Sequence, residues 1–192
     1  MHDDALRARL LEHAAVLVFD GGVDALSLRR LAAGAGTSTT AVYSLFGNKA
    51  GLLESLYLEA ARRFGARLAQ VGATDDPLRD IVRLGVVYRE YARDEPHLFG
   101  VLFAKVDEPS DAAGAEAART IEPLVDAVRR GQGAGRLVGG PAESIALACW
   151  GVAHGLVSLE LAGSVPAGLD VATGYESALW AMVNGWSSNR PS

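Results

Sequence analysis

The stretch Leu26-Ser27-Leu28-Arg29-Arg30-Leu31-Ala32-Ala33-Gly34-Ala35-Gly36-Thr37-Ser38-Thr39-Thr40-Ala41-Val42-Tyr43-Ser44-Leu45-Phe46-Gly47-Asn48-Lys49-Ala50-Gly51-Leu52-Leu53 decides how the chain is read. Ser27 can cap a helix that buries Leu28, Leu31 and Ala32, and Gly34 and Gly36 close it after about two turns. Thr37 or Ser38 can cap a second short helix ending near Phe46. Gly47-Asn48 then turns the chain into a longer helix through Leu52, Leu53, Leu56 and Tyr57 to about Gln70. Two short helices joined by a tight turn containing glycine make a helix-turn-helix, whose second helix fits the major groove of B-DNA.

The charge pattern singles out the same segment. The chain has 192 residues and a formal net charge of -5, which argues against a general affinity for nucleic acid. Residues 1–24 hold two basic and five acidic groups, whereas residues 25–53 hold Arg29, Arg30 and Lys49 and no acid. The deficit belongs to the rest of the chain, so docking on a polyanion is confined to one face. The second short helix, from Ser38 to Ser44, offers hydroxyls and a phenol that can bond phosphates and base edges. It has no Arg, Lys, Asn or Gln, so the strongest bidentate base contacts must come from elsewhere, with Arg29 and DNA shape carrying more of the specificity.

Working outward, almost every segment repeats its apolar residues at the helical period, and none alternates as a half-buried strand would. The expected fold is all-α with about nine helices. Leu6, Leu10, Ala14, Leu17 and Val18 line the first helix, which Gly21-Gly22 stops. Asp75-Asp76-Pro77 starts a helix bearing Ile81, Leu84, Val87, Tyr88 and Tyr91. Glu95-Pro96 starts another, with Leu98, Phe99, Leu102 and Phe103. Asp107 to Ala115, with Pro109 and Gly114, is expected to be a loop, and a helix bearing Ile121, Leu124, Val125 and Val128 follows. Gly131 to Gly140 reads as a glycine-rich turn, Pro141 opens a helix to about Gly163, and Asp170 caps the last one, which ends near Trp186. The expected domains are a three-helix DNA-binding domain over 1–48, a connecting helix over 49–70, and a ligand-binding and dimerisation domain over 71–192.

The run from Leu26 to Ala32, then Gly36-Thr37-Ser38, then Val42 to Leu53 resembles the TetR family of transcriptional regulators. Trp150-Gly151-Val152-Ala153-His154-Gly155 resembles the Trp-His-Gly pattern in the C-terminal domain of one branch of that family. The resemblance implies that Arg29 reaches a base edge or phosphate, that Thr39, Thr40 and Ala41 face the bases, and that Ser38, Tyr43 and Lys49 grip phosphates. Ser27 and Ser44 complete the expected DNA-contact set. Leu31, Val42, Phe46 and Leu52 would form the core of the small domain.

No catalytic set is evident in the remaining helices. Cys149 and His154 lie about 140° apart around one helix, whereas Trp150 and His154 share a face. An effector pocket for a small apolar molecule would draw on Tyr88, Tyr91, Phe99, Leu102, Phe103, Leu124, Val128, Trp150 and His154. The helix from Pro141 is apolar on more than one side, with Ile145, Cys149, Val152 and Leu156 on one and Leu147, Trp150 and Leu161 on another. It must therefore be covered all round. With Leu179, Met182, Val183 and Trp186 of the final helix it is a candidate homodimer interface, and two-fold symmetry suits a palindromic double-stranded operator.

Other classes are bounded quickly. One cysteine and four histidines give no disulfide and no metal spacing, so neither a metal nor another cofactor is expected. Acids follow Met1 where an export signal would be basic, and the longest uncharged apolar run, Ser144 to Leu159, falls short of a membrane span. A soluble, cytoplasmic protein that does not engage the membrane is expected. The combined expectation is a sequence-specific DNA-binding transcriptional regulator, a repressor relieved by a small apolar effector, and not an enzyme. The alternatives are an enzyme acting on a small molecule, or a helical interaction module that binds no DNA.

Overall fold

A computed structural model describes residues 2–104 and 110–188. Among them are nine α-helices: α1 His2–Gly21, α2 Leu28–Gly34, α3 Thr39–Phe46, α4 Lys49–Ala69, α5 Pro77–Asp94, α6 Pro96–Leu102, α7 Asp111–Gly133, α8 Ala142–Leu161 and α9 Val171–Gly185. The only β pairing among the described residues is an isolated bridge between Leu137 and Ser187.

Short-range chemistry sets most helix ends. Ser27 and Ser38 accept from the amides of Arg30 and Ala41, at 3.5 and 3.2 Å, and cap α2 and α3. The Asn48 side chain accepts from Gly51 N at 2.9 Å and starts α4. Asp76 accepts from Arg79 N ahead of α5, where Pro77 takes the first helical position. Asp170 caps α9 through Ala172 N at 2.9 Å.

Three segments differ from the sequence reading. A 3₁₀ turn, Val23–Ala25, stands between α1 and α2. Of the expected loop, residues 107–109 lie outside the described residues, while Asp111 to Ala115 form the first turns of α7. The Ser110 hydroxyl accepts from Ala113 N at 3.2 Å, and this cap offsets the cost of about 1 kcal/mol for a glycine, here Gly114, inside a helix. At the other end α7 continues through Gly133, so the glycine-rich turn is shorter than its composition suggests.

The chain forms two compact units, one of residues 1–64 and 95–117 and the other of residues 65–94 and 118–192. In the first, Leu10, Ala14, Val18, Leu31, Val42, Leu52 and Leu56 are buried together with Phe46. Each large apolar side chain among them contributes about 1.5–3 kcal/mol by leaving water. Arg7 lies over the Phe46 ring at 5.5 Å, and α6 packs on α1 with His97 edge-on to Phe19 at 5.0 Å.

In the second unit α5, α8 and α9 pack on one another. Leu179 presses so close to Gly85 that a Cβ there would come within 2.6 Å of it. Tyr175 donates to the Gly85 carbonyl at 2.9 Å. Leu179 and Val183 are thus spent on the interior of their own chain, as are Ile145 and Cys149 of α8, and none of the four is free to face a second copy. Asp80 is 1% exposed. It accepts from Thr74 N at 2.8 Å and from the Thr74 hydroxyl at 2.7 Å, and it pairs with Arg130 at 3.0 Å and Arg83 at 3.3 Å. Burial alone would raise its carboxyl pKa, and these bonds hold it below the usual range.

By length and composition α8 passes for a membrane span, with a mean hydropathy of 1.4 over 18 residues, as core helices of other proteins also do. Its uncharged run, between Glu143 and Glu160, is the Ser144–Leu159 stretch read from the sequence. Leu147, Gly151, Gly155 and Leu159, spaced four apart, lie uncovered on one side of it.

Candidate nucleic-acid interface

The helix-turn-helix is built by α2, α3 and the turn between them. Gly36, at φ 65°, takes the left-handed conformation there, and Thr37 N returns to the Ala32 carbonyl at 2.9 Å. Leu31, Val42, Phe46 and Leu52, at 0, 1, 8 and 0% exposure, point inward. The opposite side is therefore fixed: Ser38, Thr39, Thr40, Tyr43 and Ser44 are exposed along α3, and Ala41 is half-buried. Ser27 and Arg29 are exposed at the start of α2, and Lys49 is half-buried at the start of α4. Of the nine residues singled out in the sequence, seven lie at the starts of three successive helices, and Tyr43 and Ser44 lie farther along α3.

The electrostatics of this surface come from what it lacks. Among the described residues Arg29, Arg30 and Lys49 make no ion pair. The first turns of α2, α3 and α4 carry no acid and follow uncharged residues, whereas those of α1, α5, α7 and α8 carry Asp3 and Asp4, Asp80, Asp111 and Glu143, and α6 and α9 follow Glu95 and Asp170 at their N-caps. Helix N-termini without an acid leave their partial positive charge and free amides available to an anion. Lys49 opposes the dipole of its own helix, a local cost that a phosphate would reverse. Uncompensated cations, helix amides and exposed hydroxyls are the groups that anion binding uses, and the hydroxyls can also reach base edges.

Arg30, counted in the sequence among the cations of this segment but not among its contact residues, is exposed like Arg29. Gly51 sits so close to the Phe46 carbonyl that a Cβ there would lie 2.3 Å from it. The Asn48–Gly51 turn therefore sets where Lys49 stands at the start of α4 after α3 ends, and the tight approach of two backbones has no signature in composition.

The residues expected around an effector fall in both units. Tyr88 and Tyr91 of α5, Leu124 and Val128 of α7, and Trp150 and His154 of α8 belong to the second. Phe99, Leu102 and Phe103 belong to the first, where the Phe99 and Phe103 rings stand 4.9 Å apart. Tyr88, Trp150 and His154 meet through their polar atoms. The Trp150 indole N–H donates to the Tyr88 oxygen at 3.4 Å, Tyr88 and His154 Nδ1 are 2.8 Å apart, and Ser158 Oγ is 3.3 Å from His154 Nε2. Burial raises the Tyr88 pKa, so its phenol keeps its proton. The phenol and the imidazole nitrogen share that hydrogen bond, whose direction follows the tautomer of the ring. Burial lowers the His154 pKa, which favours the neutral imidazole.

Nucleophilic chemistry finds no support nearby. Burial pushes the Cys149 thiol up to about 12, and both Glu160 oxygens are taken by Arg89, each at 2.7 Å.

Fold and surface define a helix-turn-helix DNA-binding protein with a second, all-helical unit. Residues 10–56 match the family model of bacterial regulatory proteins of the tetR family, and residues 81–182 match the tetracyclin repressor-like C-terminal domain. The chain belongs to the TetR family and is a DNA-binding transcriptional regulator. Among solved structures it is similar to a protein of unknown function from Rhodococcus sp. RHA1, with 27% identity, a TM-score of 0.81, and 95% of this chain and 96% of that one covered. The TetR family regulator PfmR from Thermus thermophilus shares the fold at 22% identity, with a TM-score of 0.76 and coverage of 95% and 100%. SmeT, in a complex with triclosan, shares it at 19% identity, with a TM-score of 0.74 and coverage of 96% and 93%. No curated protein sequence matches the chain.

Proposed function

We propose that the chain acts in the cytoplasm as a homodimeric repressor of transcription that leaves its operator when a small apolar molecule binds the second unit. The observation that carries this reading is the acid-free surface of α2, α3 and the start of α4, where three cations have no partner within the described residues. On it Thr39, Thr40 and Ala41 read bases, Arg29 reaches a base edge or phosphate, and Ser27, Ser38, Tyr43, Ser44 and Lys49 hold phosphates. Three cations per copy are few, so tight binding needs two copies on a palindrome, with reading helices about one turn, ~34 Å, apart.

The second copy is assigned to the outer face of α8 and α9. Leu147, Gly151, Gly155 and Leu159 line α8, and Gly174, Ala178, Ala181 and Gly185 repeat at helical spacing on α9, none of them fully buried in its own chain. Small residues allow two such helices to approach closely, and burying this face removes the apolar exposure of α8 that otherwise resembles a membrane span.

The effector contacts Trp150, His154 and Tyr88, which a short chain of hydrogen bonds joins, with Tyr91, Leu124 and Val128 as further candidates. SmeT holds triclosan on the same fold, so the fold can admit a small apolar molecule. Binding shifts the population of dimer states only through its different affinity for them.

Selection of bound duplexes from a random pool, followed by sedimentation of free protein and complex, tests this reading. A dimer enriching a palindrome, with affinity falling steeply as salt rises, is expected. A monomer at micromolar concentration, or enrichment of no sequence, would sink it.

A further inference from the structure

The second unit carries a groove of about 610 Å³ that neither DNA binding nor the Tyr88 cluster uses. Its apolar part is Val82, Val86, Val87 and Trp180, and Arg79 and Arg83, one turn apart on α5, stand on the same face of that helix. Arg67, Gln70, Val71 and Glu176 line the rest of it. Tyr88 lies nine residues from Arg79, about 180° around α5, so the groove opens on the other side of the helix from the Tyr88–His154 pair. On α9, Trp180 is two residues from Ala178, about 200° around, so the groove also points away from the small-residue face.

The charges of the groove are unequal. Arg67 is engaged by Asp94 at 3.1 Å, and Arg83 is shared between Asp80 at 3.3 Å and the Val71 carbonyl at 2.7 Å. Arg79 is exposed and makes no ion pair with a described residue. Glu176, also exposed, is the acid that a second negative charge on a ligand would meet. One free guanidinium, one opposing carboxylate and an apolar floor select a molecule with a single negative charge and an apolar body. The guanidinium fork matches a carboxylate with two parallel hydrogen bonds, and the volume falls within the roughly 300–1,000 Å³ of small-molecule sites.

We propose that this groove binds a monocarboxylate on a compact apolar body, the carboxylate at Arg79 beside Arg83 and the apolar part against Val82, Val86 and Trp180. The site is separate from the effector contacts assigned above, and it stands or falls independently of them.

Titration calorimetry of the full chain with 4-tert-butylbenzoate, and with its neutral amide as control, tests it. The carboxylate is expected to bind roughly tenfold or more tightly than the amide, and less tightly as salt rises. Arg79→Gln, which breaks no ion pair among the described residues, should erase that difference. Trp180→Ala should weaken both compounds alike, and His154→Gln should change neither. Equal binding of acid and amide, no heat at millimolar acid, or an unchanged preference in Arg79→Gln overturns the proposal. So does loss of binding in His154→Gln, which would move the site to the Tyr88 cluster.

Discussion

Arg29, Arg30 and Lys49 in the first unit, and Arg83, Arg89, Arg129, Arg130 and Arg136 in the second, are similar cations put to opposite use. Those of the second unit face acids of their own chain: Asp80, Glu160, Asp126 and Glu143, and Asp76. Those of the first face solvent from a stretch without a single acid. A cation that has its partner inside the chain supports the fold and offers little to a ligand. A cation without one is held in place only by the helix that carries it, and its interaction energy is available to phosphate. The same contrast fits a DNA-binding chain of net charge -5, because its acids all lie outside residues 25–53 and disfavour docking orientations that do not present that segment.

The contrast is most sharply broken at Asp80. Asp80→Ala is expected to cost about 3 kcal/mol, the low end for a broken buried pair because Arg83 and Arg130 keep access to water. In thermal unfolding this is a fall of roughly 6–12 °C for a chain of this size. A loss below about 1 kcal/mol would mean that the buried carboxylate is dispensable.

Next come the reading-surface residues, which should change binding and leave stability alone. Arg29→Ala is expected to cost about 1–3 kcal/mol of operator affinity and to relax sequence preference. Lys49→Ala should weaken all sequences evenly and flatten the salt slope by about 1 per half-site. Mobility shifts at several salt concentrations separate the two patterns, and a drop in melting temperature for either variant would show that it serves the fold.

The smallest effect is at His154. Its pKa is lowered in the fold by burial, so the unfolded chain binds a proton that the folded chain resists, and stability falls as pH drops below about 6.5. Asp80, Glu59 and Glu160 are shifted below their ordinary carboxylate values, and their contribution is lost only on further acidification, below about pH 4. Melting curves between about pH 7 and 5.5 should show the decline in the native chain and a flatter profile in His154→Gln. Parallel profiles would remove His154 from the account.

Several parts of this protein were legible without coordinates because their causes are local. Ser27, Ser38 and Asp170 cap the helices that they precede, within three residues along the chain. The acid-free segment and the helix-turn-helix spacing likewise lie within residues 25–53. Local reasoning failed where a local signal was outweighed or absent. Gly114 and Pro109 suggested a loop, but the Ser110 cap and continuous packing carried α7 back to Asp111. Leu179 and Val183 looked available for a partner because periodicity reports that a face is apolar and not which body covers it.

The helices, their caps, the charge asymmetry and the apolar stripes follow from the sequence, because they are interactions between residues a few positions apart. Which stripe faces inward is a matter of packing, and packing brings Thr74 and Asp80 to Arg130, Tyr88 to His154, and Arg79 and Trp180 to one groove. Those partners lie 50 or more residues apart in the chain, and their meeting depends on how whole helices pack, which no short window of residues encodes.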